Sequence, residues 1–277
     1  MAYNYISGRG NLSCTIFVPF DCSNNCPFCT SKAMYKDLKP NIKNIINIIK
    51  LLNYNSVIKE YVFTGGEPFS NLNDLNILLN ECKKPVYINT TLPTNTESSI
   101  DDIIDFINNH EHINGINISR HIGFNFNRIA SIDEIKRIKK PIRINTVINK
   151  NFSLVKFLEF VTVFGGDNRL INLRADYRNI TNETLKCRDS IDNFLLENFN
   201  YHHSNSCMVC NSEFFYSDDW KYTIMYHRGL QFSSFVVGNK KFINDVIVTP
   251  DAKIYSDWDL KDDKDFNMWL FLNNKYV

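Results

Sequence analysis

No stretch of this sequence approaches the apolar length that spans a bilayer, and residues 1–11 lack the charged-then-apolar pattern of a secretory leader. Both absences point to a cytoplasmic protein without membrane contact. Net charge is nearly absent too. Thirty-one Lys+Arg oppose 30 Asp+Glu, a formal +1, so no global field draws the chain to nucleic acid or an anionic surface. A local basic groove is still compatible with that balance. The disulfide framework of a small secreted domain is also missing. Eight cysteines in 277 residues, several at metal-type spacing, fit a reducing compartment instead. Core-forming residues, by contrast, are plentiful. Hydrophobic residues make up 44%, enough in a chain this long for one barrel-like domain and a small extension.

Three of the cysteines share one loop. Cys22, Cys26 and Cys29 stand in F-D-C-S-N-N-C-P-F-C-T, directly after the apolar run 14–20. A structural zinc site closes with four ligands, commonly paired as C-x2-C. Thiolates at C-x3-C-x2-C leave one metal position open, and an open position on an iron–sulfur cluster can take a reactive molecule. A zinc knuckle completed by a distant residue, or plain surface thiols, are the alternatives. A second motif follows the strand-like run 60–63: Thr64-Gly65-Gly66-Glu67-Pro68. Paired glycines let backbone approach a ligand closely, and the glutamate can accept hydrogen bonds from an ammonium group. Alone, G-G-E-P is also a turn carrying a solvated acid.

Periodicity alternates strand and helix. Strands are expected at 13–20, 60–63, 86–89, 115–119, 142–148 and 170–174, with helices at 41–53, 72–83, 99–109, 132–139 and 153–164 between them. Isoleucines 42, 45, 46 and 49 line one face of the first helix. Six strands joined by five helices build a parallel sheet with right-handed crossovers. A doubly wound sheet is the alternative to a barrel. Candidate polar residues fall at the carboxyl ends of the strands, where barrels gather their chemistry. They are Asn89, Thr90 and Thr91, then Ser119, Arg120 and His121, with Asn145 and Thr146 inside strand five and Arg174 ending strand six.

The cysteine loop after one strand and G-G-E-P after the next resemble the radical S-adenosylmethionine (AdoMet) enzymes, over roughly residues 12–175. The resemblance implies a partial (β/α)6 barrel. It implies a [4Fe–4S] cluster on Cys22, Cys26 and Cys29 whose remaining iron chelates AdoMet through its amine and carboxylate. Phe28 matches the aromatic position near the adenine, though a buried structural Phe explains it as well. Gly65, Gly66 and Glu67 match the segment that meets the methionine ammonium. Asn89 and Thr90 resemble the polar residues near the methionyl part, and Ser119 and Arg120 those near ribose or carboxylate. A rim salt bridge is the plainer use of Arg120. Asn145 completes the candidate cofactor-binding set. The implied chemistry is reductive AdoMet cleavage to methionine and a 5′-deoxyadenosyl radical, which removes a hydrogen atom from a small-molecule, nucleotide or peptide substrate. An electron donor such as flavodoxin or ferredoxin is implied with it. Strand five, I-R-I-N-T-V-I-N-K, is similar to the molybdenum-cofactor cyclase branch and its peptide-modifying relatives. The family's adenine segment G-x-I-x-G-x-x-E is missing after it.

Three regions are expected: a lead-in at 1–12, the barrel at 13–178 and an extension at 179–277. The extension reads as a helix at 181–199 and short strands at 222–226, 231–237, 242–248 and 253–256, with turns at Gly238-Asn239 and Pro250-Asp251. Antiparallel strands there would close the open side of the barrel. Cys187, Cys207 and Cys210 form a candidate second site for another iron–sulfur cluster or zinc, although the branch named above carries further cysteines and this chain has none after Cys210. A redox dithiol or no ligand at all are rival readings. A non-catalytic metal-binding or nucleic-acid-associated module is the rival to an enzyme, but it would not need the open cysteine loop and G-G-E-P together.

Overall fold

The computed structural model describes residues 4–7, 12–24, 26–29, 41–124, 126–149, 151–166, 169–175, 181–207, 212–216, 223–227, 234–258, 260–261 and 264–273. After a short β1 (Asn4–Ser7), the expected alternation is present. It runs β2 (Leu12–Val18), α1 (Ile42–Leu52), β3 (Ile58–Gly65), α2 (Leu72–Asn80), β4 (Val86–Thr90) and α3 (Ile100–Asn109). It continues through β5 (Ile113–Ser119), α4 (Ile132–Lys136), β6 (Ile142–Ile148), α5 (Leu154–Phe164) and β7 (Leu170–Ala175). Strands β2 to β7 pair in chain order, each pair parallel.

The helices start where side chains satisfy their first N–H groups. Asn41 caps α1, and Ser99 with Asp102 and Ser131 with Glu134 close reciprocal capping boxes on α3 and α4. Ile45 and Ile49 of α1 are buried against Cys14, Ile16, Tyr61 and Phe63, the outward-facing alternate residues of β2 and β3. Ile88, Ile116, Ile118, Ile144 and Ile171 continue that core across the sheet. Each such side chain contributes about 1.5–3 kcal/mol on burial. The opposite, inner face carries Thr15, Asn89, Asn117, Asn145 and Asn172, so one side of the sheet is apolar and the other polar.

The extension differs from expectation. It comprises α6 (Asn182–Asn198), β8 (Asn200–Cys207), β9 (Ser212–Tyr216), β10 (Thr223–His227), β11 (Ser234–Val237), β12 (Lys240–Ile243), β13 (Asp245–Val248), β14 (Ile254–Tyr255) and α7 (Lys264–Leu272). Rather than closing the barrel with antiparallel strands, β13 adds to β2 and β10 adds to β7, both parallel. The antiparallel strands β14, β9 and β8 lie outside them. The order is β14-β13-β2-β3-β4-β5-β6-β7-β10-β9-β8, an open partial barrel whose end strands do not pair among the described residues. The expected strand at 242–248 is split at Asn244. Its first half pairs with β1 and β11, and its second half crosses to β2. The turn at Gly238 is a two-residue hairpin, with φ at +61°. Among the described residues no helix is long and apolar enough to cross a membrane.

Candidate active site

Because β2 to β5 run parallel, the loops that follow them share one rim. Cys22, Cys26 and Cys29 leave β2 together and are all half-buried. The Cys29 N–H donates to the Cys26 carbonyl at 3.1 Å, closing the turn through Pro27 and Phe28. Among the described residues no three His, Cys, Asp or Glu side chains are drawn together as a finished ligand set. The loop is held from the side by the G-G-E-P turn. Gly65 has φ +124°, which only glycine adopts without strain. A Cβ on Gly66 would stand 1.6 Å from the Phe20 carbonyl oxygen, so the second glycine permits direct backbone contact with the entry to the cysteine loop. Next to it, the Glu67 N–H donates to the Asp21 carbonyl at 3.3 Å.

Both charged residues expected to meet AdoMet are buried, with their side chains bonded to the protein itself. Glu67 is 3% exposed. Its Oε1 accepts from the Thr90 hydroxyl at 2.5 Å and the Phe69 N–H at 3.3 Å, and its Oε2 accepts from the Thr91 N–H at 2.8 Å and the Thr91 hydroxyl at 2.6 Å. Four donors occupy about all the acceptor sites a carboxylate has. Burial pushes its pKa up, and the hydrogen bonds from Thr90, Thr91 and Phe69 oppose that. Thr91 Oγ1 also accepts from Asn24 Nδ2 at 3.2 Å, and Asn24 lies inside the cysteine motif. On the other side of Thr91, Arg120 donates to the carbonyls of Thr91 (2.7 Å), Ser119 (2.8 Å) and Ala130 (2.9 Å). Burial lowers the guanidinium pKa to about 10, with Glu67 opposing, so Arg120 stays charged at neutral pH. The end of β4 is therefore gripped between a buried anion and a buried cation, and one hydrogen bond passes that grip on to the cysteine loop.

Residues 16–149 match the model of the Radical SAM superfamily. Among solved structures, the crystal structure of SuiB from Streptococcus suis bound to S-adenosylmethionine is similar, with a TM-score of 0.57 and 14% identity over 89% of this chain. Residues 16–149 thus carry the sequence pattern of a radical SAM domain. It spans 60% of the length of SuiB. No curated protein matches its sequence.

Within the matched segment, Phe28 meets His121 edge-on with ring centroids 4.5 Å apart and Phe124 at 5.7 Å, and Phe126 packs on both His121 and Phe124. Burial, and then the charge on Arg120, lower the His121 pKa to about 3, so the ring is neutral, and its buried Nδ1 has no hydrogen-bond partner. On the inner face, Asn117 donates to Asn89 and Asn172 donates to Asn145, each at 2.8 Å, and Ser119 is the register neighbour of Asn145. Ser119 and Asn145 are half-buried. Thr91 was among the polar strand-end residues expected from sequence, whereas Asn24, Asn117 and Asn172 were not. Asn24 was in view inside the cysteine motif, and the inner asparagines stand out as polar breaks in the isoleucine-rich strands. The Cys187 thiol donates to the Phe152 carbonyl at 3.2 Å. Cys210 and the side chain of Cys207 lie outside the described residues.

Proposed function

We propose that this protein is a radical SAM enzyme that holds a [4Fe–4S] cluster on Cys22, Cys26 and Cys29 and binds AdoMet beside it on the same rim. The observation that carries the reading is the single network Asn24–Thr91–Glu67–Thr90, which joins the cysteine loop, the G-G-E-P turn and the end of β4. The donor set fits the group: three soft thiolates on one loop suit an iron–sulfur cluster and leave one iron without a protein ligand. When bound, the reduced cluster supplies the electron that cleaves AdoMet to a 5′-deoxyadenosyl radical, the species that abstracts hydrogen from substrate.

The chain's own residues bind and orient. The half-buried Gly65 and Gly66, with Asn89, Ser119 and Asn145, offer polar groups to the methionyl and ribose parts, and Phe28 offers a ring face to the adenine, whereas the buried Thr90 gives its hydroxyl to Glu67. Glu67 and Arg120 position the rim rather than touch the ligand, since their hydrogen bonds go to Thr90, Thr91, Phe69, Ser119 and Ala130. The group Phe28, His121, Phe124 and Phe126 keeps water from that side. Reduction calls for an electron donor of the flavodoxin or ferredoxin kind. Anaerobic reconstitution tests the metal assignment. The wild-type chain should bind about four irons at this site, and Cys22→Ala/Cys26→Ala/Cys29→Ala should lose them while staying folded. Full iron in the triple variant overturns the assignment.

A further inference from the structure

The opposite end of the parallel strands carries a separate feature. At the amino ends of β4 to β7 lies a cavity of about 650 Å³. Among the described residues its charged lining has one sign: Lys136, Lys139, Lys140, Arg143 and Arg169, with no Asp or Glu. In a chain of 31 basic and 30 acidic residues, five cations around one cavity are a local concentration rather than a reflection of bulk charge. Partners in reach meet part of that field: Glu60 acts on Arg143 electrostatically, and Arg169 has partners of its own. Lys140 Nζ donates to the uncharged His110 carbonyl at 3.3 Å, and Lys136 pairs at 3.5 Å with an Asp133 that is 86% exposed. Such an exposed pair is weak.

Arg143 decides the chemistry. It stands on the inner face of β6 in register with Asn117, which also lines the cavity, and its buried Nε has no hydrogen-bond partner. A buried guanidinium N–H without an acceptor is a costly vacancy that an anionic oxygen fills well. The space is kept open by Gly115. A Cβ there would come within 3.0 Å of the Tyr87 ring and 3.2 Å of the Pro141 carbonyl oxygen. A cavity of this volume falls in the range of small-molecule sites, about 300–1,000 Å³.

We propose that this cavity binds a small polyanion, a molecule bearing phosphoryl groups, through Lys136, Lys139, Lys140 and Arg143. The assignment uses no residue of the cysteine rim and stands apart from the radical chemistry. Titration calorimetry of the full chain with tripolyphosphate tests it, with citrate as the carboxylate counterpart and a repeat at high salt. Tripolyphosphate should bind with one saturable site, more tightly than citrate, and more weakly as salt rises. Lys136→Gln/Lys139→Gln removes two exposed side chains, at the cost of only the weak exposed Lys136–Asp133 pair, and should weaken binding about tenfold or more with thermal unfolding little changed. Arg143→Gln, checked for its fold by circular dichroism, should weaken it further. Absence of saturable binding, or equal affinity in wild type and the lysine variant, overturns the site. Citrate binding as tightly as tripolyphosphate overturns the phosphoryl assignment.

Discussion

Glu67→Gln keeps the shape of the side chain and removes its charge. In the wild type each carboxylate oxygen faces two donors, one backbone N–H and one threonine hydroxyl. An amide must turn its NH2 toward one of those pairs. The threonine hydroxyl there can rotate and accept, but the N–H of Thr91 or Phe69 cannot, and it is left buried without an acceptor. That orphan costs about 1–3 kcal/mol, and loss of charge assistance in the remaining bonds adds about 1 kcal/mol. Arg120 also loses the anion that supports its charge. At about 2–4 °C per kcal/mol for a protein of this size, Tm should fall by roughly 4–16 °C. Differential scanning calorimetry of the metal-free chain reads this directly. Thr91→Val, which deletes the hydroxyl between Glu67 and Asn24, should lower Tm in the same direction and by less. A Glu67→Gln variant as stable as wild type, with an intact fold, refutes the clamp.

Three further outcomes follow from particular contacts. Gly66→Ala places a methyl where the Phe20 carbonyl stands, so the two loops must separate at a cost of about 3 kcal/mol or more. Reconstituted iron should drop sharply while far-ultraviolet circular dichroism keeps its helical signal, and full iron loading would contradict the close approach. The His121 pKa, about 3 in the fold against an ordinary 6.5, means the unfolded chain takes up its proton first as pH falls. Stability present above about pH 6.5 should thus be lost progressively toward pH 3, by an amount on the order of a few kcal/mol, and urea titrations of His121→Phe should show a flatter acid limb. An identical pH profile in wild type and variant sinks this cause. Finally, Cys207→Ala/Cys210→Ala should still permit AdoMet cleavage, and elemental analysis should separate the readings of that pair. Iron falling by up to about four atoms means a second cluster, zinc disappearing means a zinc site, and neither change means a dithiol or a packing role.

The repeating core of the fold was legible because its signals are local. Isoleucines at helical spacing in α1 and capping residues before α3 and α4 mark those helices, and the polar-to-apolar alternation of β4 to β6 marks strands. Strand pairing in the extension was not, because partner choice is a long-range property. Residues 242–248 read as one strand, yet Phe242 pairs with Ile6 and Val246 with Cys14, in different sheets. Likewise β10 looks like any short strand, and only β7 lying beside it makes the pairing parallel. At the rim, the types and spacing of Cys22, Cys26, Cys29 and the G-G-E-P turn were visible. The direction in which Glu67 and Arg120 point was not. A charged residue at a strand end reads the same whether it faces a ligand or grips the neighbouring loop. The donors that decide it, Thr91 N–H and Oγ1, lie 24 residues away in sequence.

The most direct test of the central claim is anaerobic incubation of the reconstituted full chain with AdoMet and dithionite, with 5′-deoxyadenosine and methionine followed by liquid chromatography and mass spectrometry. Wild-type protein should release both products in equal amounts, and Cys22→Ala, Cys26→Ala and Cys29→Ala should each release none above the protein-free background. Failure of a fully iron-loaded wild type to form 5′-deoxyadenosine, or undiminished formation in a cysteine variant, would contradict the assignment of this rim as a radical-generating site.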